Sequence, residues 1–277
     1  MSIVPDSPDH KDRPLTFLAA ALWTVLVLLL DVFIVGMTEA GRAGAYLDIV
    51  SLTGCEALAY SVVFFGILRV HEPETSIRHV LALRRPSIIA LILAIGVGVA
   101  LSLPSEWLSQ ILEARFPRPP EEKEALDRLF SVATLGRRVA LIATVVFIQP
   151  VFDELFYRGA LFTPLRRTRR AETVILATAA FEALRSGTPR TMMLLLLASI
   201  VFAWVRAATG SIFPSIMARM AYMAVQVVPM VIHRELPKPT KLWLAGTLVV
   251  AVGGLFGLSL LSRRDARLLD ARLGDGD

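Results

Sequence analysis

Continuous apolar runs, each roughly 20 residues long and separated by short polar segments, dominate the chain. They do not alternate with period two, which argues against a transmembrane β-barrel. The pattern predicts about eight helical spans, near residues 15–37, 46–68, 87–103, 139–162, 171–184, 191–208, 211–232 and 242–261. Either the fifth or the sixth could be re-entrant. No internal repeat or linker divides the chain. It reads as a polar tail over 1–14, one bundle over 15–261 and a charged tail over 262–277. Lys11 and Arg13 precede the first run, which is too long for a signal-peptide core and reads as a retained span.

The polar segments add detail. The longest covers 104–136. Pro117, Pro119 and Pro120 break it, and Glu121, Glu122 and Glu124 then open a helix in the acid-first order favoured by the helix dipole. Leu126, Leu129, Phe130 and Ala133 follow at amphipathic spacing, so this helix is expected either on the membrane surface or packed on the bundle. Within the fourth run, Pro150 predicts a kink and Gly159 a close approach between helices. Phe64, Phe65, Trp107, Trp204 and Trp243 suit lipid-facing or interfacial positions. The short loops on the N-terminal side are the more basic. They predict a cytoplasmic N-terminus in a cell (plasma or inner) membrane.

Composition agrees with this reading. The chain is 55% hydrophobic and its mean hydropathy is +0.62, more apolar than an ordinary soluble domain. The net charge is +5. The basic residues sit in short loops, as membrane topology requires, so nucleic acid is not an expected partner. Cys55 is the single cysteine, which excludes an internal disulfide and a cysteine metal site. His10, His71, His79 and His233 all fall in the tail, in loops or at span ends.

Charges inside the spans are the candidate chemistry. Each costs about 2.5–3.5 kcal/mol at a helix centre on insertion scales, so several together call for compensation or a function. The fourth run holds Asp153, Glu154 and Arg158. Glu154 and Arg158 share a helix face and can pair, whereas Asp153 needs a partner elsewhere. Glu182 with Arg185, Arg219 and Glu56 lie in or beside other runs. Glu56 could join these charges or sit in a small polar pocket of its own, and the pocket is the expectation.

The stretch Asp153-Glu154-Leu155-Phe156-Tyr157-Arg158-Gly159 resembles the Glu-Glu-x-x-x-Arg motif of the CPBP family, the CAAX-prenyl-protease and bacteriocin-processing intramembrane peptidases. Phe181 to Arg185 stands where that family has Phe-x-x-x-His. Arg219 to Met223, approached through Gly210-Ser211-Ile212-Phe213-Pro214, stands where it has His-x-x-x-Asn/Asp. The similarity covers about 139–228. It implies an all-α, polytopic CPBP-like bundle and a site, often discussed as metal-dependent, in which the first glutamate activates water.

The departures carry as much meaning. Asp153 replaces the first glutamate, Arg185 and Arg219 replace the two histidines, and Met223 replaces the Asn/Asp. A guanidinium has no lone pair to offer and repels a divalent cation. Methionine is a soft ligand, poorly matched to carboxylate company. The expectation is a non-catalytic pseudoprotease that binds membrane segments or partner proteins and holds no metal; zinc or another divalent ion would enter only if the site worked without histidines. Two carboxylates facing three arginines would leave surplus positive charge. The alternatives are an active CAAX-type endopeptidase using Asp153 and Glu154, and an anion-binding or transport protein using the arginines.

Overall fold

A computed structural model of the protein describes residues 14–45, 48–130, 134–232 and 240–274, with side chains 125–127, 129–130, 241 and 262–274 left aside. Among the described residues every regular element is a helix, and turns or short loops join them. They form α1 (Phe17–Gly41), α2 (Ile49–His71), the single turn α3 (Ile77–Val80), α4 (Ile88–Arg115) and α5 (Pro120–Phe130). The fourth apolar run is one continuous helix, α6 (Leu135–Thr168). Then follow α7 (Ala171–Ala183), α8 (Pro189–Thr209), α9 (Ile212–Val231) and α10 (Lys241–Gly274).

Seven of these helices are long and apolar enough to cross a membrane. The outer face of α1 shows why: Leu18, Leu22, Leu29 and Val32 are all exposed, a surface that only lipid would cover favourably. The fifth predicted span does not reach this standard. With 13 residues α7 rises about 20 Å, against a hydrocarbon core of about 30 Å. The chain still passes from one face of the bundle to the other there, the turn at 184–188 completing the distance. Its start lies beside Arg169, whose guanidinium stacks over Phe17 at 5.5 Å. Its sequel Arg190 meets Glu113, at the far end of α4, at 2.7 Å.

Two other boundaries move. The third span does not stop before Pro104; α4 runs through it to Arg115, because Trp107, Leu108, Ile111 and Leu112 extend the apolar face by two further turns. The first helix runs on to Gly41, which puts Asp31 near its middle. The acid-first helix after Pro119 forms as predicted. Its apolar stripe of Leu126, Leu129, Phe130 and Ala133 lies outside the described side chains, as do the 1–13 part of the polar tail and the side chains of the charged tail. The backbone of that C-terminal segment continues helically to Gly274. Phe65, Trp107, Trp204 and Trp243 face outward, while Phe64 is half-buried against the core.

Small residues set the tightest packing. Gly98 of α4 lies directly on the Ala218 backbone of α9, leaving no room for a Cβ. Gly254 of α10 sits against Val97 in the same manner. These contacts make α4 the strut against which α9 and α10 pack. Gly159 accommodates the Leu81 side chain from the loop before α4, so its small size serves a loop contact rather than the helix approach expected of it.

Candidate functional site

Around the acidic pair the backbone of α6 departs from regular α-helix. Residues Ala143–Ile148 and Leu155–Leu161 wind as π-helix, with the short α-helical piece Gln149–Glu154 between them. Pro150 has no N–H to give the carbonyl four residues back. The Gln149 N–H reaches back five residues to the Thr144 carbonyl. Wide turns of this kind change which side chains face inward. Here Asp153, Glu154, Phe156, Tyr157 and Arg158 are all buried.

The sequence-predicted residues converge. Glu154 Oε1 accepts from Arg219 at 2.9 Å and lies 3.6 Å from Arg158. Asp153 accepts from Arg185 at 2.8 Å and from the Tyr60 hydroxyl at 3.0 Å, and its second oxygen lies 3.3 Å from Arg219. The arginines in both histidine positions thus hold the two carboxylates of the first motif directly.

Two acids omitted from that expectation complete the cluster. Glu182 pairs with both Arg158 and Arg219 and accepts from Ser199 Oγ at 2.6 Å. Arg158 also donates to the Ser199 carbonyl at 2.7 Å. Glu56 pairs with Arg185 and accepts from Gln149 at 3.3 Å, so it joins the network instead of occupying a separate pocket. The reason is geometric. Glu56 faces Arg185 across the bundle, and no helix intervenes. Helical spacing offered a signal for Glu182: it follows Phe181 in an apolar helix too short to bring it to a polar surface.

The charge balance is therefore reversed. Glu56, Asp153, Glu154 and Glu182 face Arg158, Arg185 and Arg219, so four carboxylates meet three guanidiniums. The surplus positive charge that motivated the anion-binding or transport alternative does not exist at this site. Phe181 stays out of the network and packs on the core beside α1 and α2.

Met223 does not touch the ion pairs either. It lines a cavity of about 300 Å³ between α8 and α9, with Leu194, Leu195, Phe202, Tyr222 and Gln226. Arg219 forms part of its wall, and the guanidinium lies 5.4 Å from the Phe202 ring centre. An apolar cavity thus abuts a closed ionic cluster.

The donor set does not suit a divalent ion. Arg219 nitrogens lie between Asp153, Glu154 and Glu182, where a cation would need those oxygens. Among the described residues no three His, Cys, Asp or Glu side chains are grouped to hold a metal. No step through a metal follows from this arrangement.

The fold and site together define a polytopic helical membrane protein whose central helices are cross-tied by buried ion pairs. Residues 135–225, about a third of the chain, match the family described as Type II CAAX prenyl endopeptidase Rce1-like, so this segment is similar to the proteins of that family. The matched segment contains all three motif positions. No curated protein and no solved structure matches the chain.

Proposed function

We propose that this protein is a non-catalytic member of the CAAX endopeptidase group, an integral membrane protein that holds an apolar membrane segment without cutting it. One observation carries the reading: both first-motif carboxylates are neutralised by direct contact with arginines in the histidine positions. Guanidinium N–H donors occupy the carboxylate oxygens that would otherwise accept a proton from water. A water molecule would have to displace an ion pair before either acid could act on it. The 300 Å³ cavity beside Arg219 and Met223 offers the apolar surface that a segment would occupy. Its lining is mostly hydrophobic, with Tyr222 and Gln226 as polar points of orientation.

Topology supports a membrane orientation for the same reading. The ends of α2, α6 and α8 and the starts of α1, α4 and α9 share one face. Arg167 reaches Glu72 at 2.8 Å there, and Ser211 reaches the Arg84 carbonyl at 2.7 Å. That face carries Arg69, Arg78, Arg84, Arg85, Arg166 and Arg170, so it is the cytoplasmic one in a plasma or inner membrane.

An active hydrolase is the second reading, and one observation favours it. Glu154 Oε2 has no hydrogen-bond partner among the described residues. The two readings separate in a single experiment. Purified protein is incubated with a fluorogenic membrane peptide, and a photo-crosslinking residue at Met223 reports what occupies the cavity. Crosslinking to the peptide without cleavage is the expected result. Turnover that disappears in Glu154→Ala would establish the hydrolase.

A further inference from the structure

Most buried arginines of the bundle have acids. Arg158, Arg185, Arg190 and Arg219 each touch at least one carboxylate. Arg206, near the end of α8, does not. Its residue is 5% exposed, and no carboxylate lies within ion-pairing distance of it among the described residues. Its guanidinium donates once, to the Thr163 hydroxyl at 3.2 Å, and stacks over the Phe162 ring at 5.3 Å. Its Nε is buried with no acceptor.

The nearest loop makes matters worse electrostatically. Arg84 is close enough to act on Arg206 and is also a cation, and Glu154 is a carboxylate that acts on it from beyond ion-pairing distance. The loop that carries it is held in place: the Arg84 carbonyl accepts from Ser211 Oγ at 2.7 Å, and the Ala82 carbonyl accepts from the Ile212 N–H at 3.4 Å. Position in the last turn of α8 gives Arg206 a small stabilisation from the helix dipole. A buried cation without a direct counter-ion is costly in apolar surroundings. Dipole and ring contact together do not close that gap.

We infer that Arg206 and Arg84 form a seat for a phosphate group, and that its occupant is the headgroup of an anionic phospholipid. Arg206 stands in the last turn of α8 and Arg84 in the loop before α4, both on the basic face where a headgroup would meet the ends of α6 and α8. A phosphate oxygen would accept from the unpartnered Nε of Arg206, while Arg84 and the Thr163 hydroxyl complete the set. Guanidinium is well matched to such planar, paired recognition of phosphate. None of Arg206, Arg84 and Thr163 belongs to the ion pairs or lines the 300 Å³ cavity, and occupancy of the seat does not depend on whether the protein cuts peptides.

The test uses the full chain in a neutral detergent, with thermal unfolding and native mass spectrometry as readouts. The probes are short-chain phosphatidylglycerol, phosphatidylcholine of equal chain length, and inorganic phosphate. Phosphatidylglycerol is expected to raise the unfolding temperature and to remain bound, with phosphatidylcholine giving neither effect. R206Q should weaken apparent affinity for phosphatidylglycerol by about tenfold or more, and R84Q by less. R69Q, on the same face but outside the seat, should bind as the parent does. If inorganic phosphate alone reproduces the shift, the phosphate chemistry stands and the lipid assignment is wrong. Equal stabilisation by both lipids, unchanged binding in R206Q, or equal losses in R69Q and R206Q would each overturn the seat. Removing an uncompensated charge should not impair folding of R206Q, and R84Q, at an exposed position, gives an independent reading.

Discussion

The ion cluster makes a quantitative claim that a double-mutant cycle can test. Replacing Arg219 by Gln removes the cation that touches Asp153, Glu154 and Glu182. At an effective dielectric of about 20, one such contact near 4 Å is worth about 4 kcal/mol before the desolvation penalty of each ion is counted. Because that penalty has already been incurred by the acids, losing the cation costs the parent about 3–5 kcal/mol. The remaining contacts set how much is lost. Asp153 keeps Arg185, and Glu154 keeps Arg158 only at 3.6 Å, so Glu154 is the acid left most exposed to the change. Glu182→Gln alone removes the acid shared by Arg158 and Arg219, and it should also destabilise. The double variant removes an acid and a base together, and most of the loss should return. Unfolding free energies in mixed micelles would supply the four corners of the cycle. A coupling energy of about 1.5–3 kcal/mol is expected for groups in one network. Additive effects, or a cost below about 1 kcal/mol for Arg219→Gln, would show that water already screens the cluster and that it is open.

Three other outcomes follow from the packing. Gly98→Ala should lower the unfolding temperature strongly, since its Cβ meets the Ala218 backbone, whereas Gly36→Ala meets nothing within 4 Å and should be neutral or slightly stabilising; thermal scans of the two variants check this. Arg190 holds Glu113 at 2.7 Å and Glu122 at 2.9 Å, so Arg190→Ala should release α5 and speed tryptic cleavage around Lys123, read by limited proteolysis. Restoring histidine at both Arg185 and Arg219 should destabilise the fold rather than create a protease, because Glu56 and Glu182 would keep their charges with only Arg158 to face them. A stable, cleaving double-histidine variant would contradict the last expectation.

Helix positions were legible because lipid imposes one rule on every span: about 20 apolar residues must satisfy their own backbone. The rule fails where protein replaces lipid as the neighbour. In α7 the chain crosses with 13 helical residues because its polar end, Glu182 onward, is met by Arg158 and Ser199 rather than by hydrocarbon. In α4 the helix overruns the expected end at 103, because the apolar face beyond Pro104 outweighs a single missing hydrogen bond. The arginines and first-motif acids were legible because their spacing placed them at three motif positions. Glu56 was not, because partners 129 positions apart in sequence are joined only by the tertiary fold.

Those two acids change the meaning of the arginine substitutions. With Asp153 and Glu154 alone, Arg158, Arg185 and Arg219 would overfill the site, and some would want a further anion. Glu56 and Glu182 absorb them, each arginine bridging two acids or more. An arginine in either histidine position could not be tolerated on its own: it would be an uncompensated cation within the bilayer. The replacements are therefore coupled to their acids. Arg185 requires Glu56 as well as Asp153, and Arg219 requires Glu182 as well as Glu154. A site rebuilt with such mutual dependence is locked by its own electrostatics. Arg206 shows what the bundle looks like where that compensation is missing.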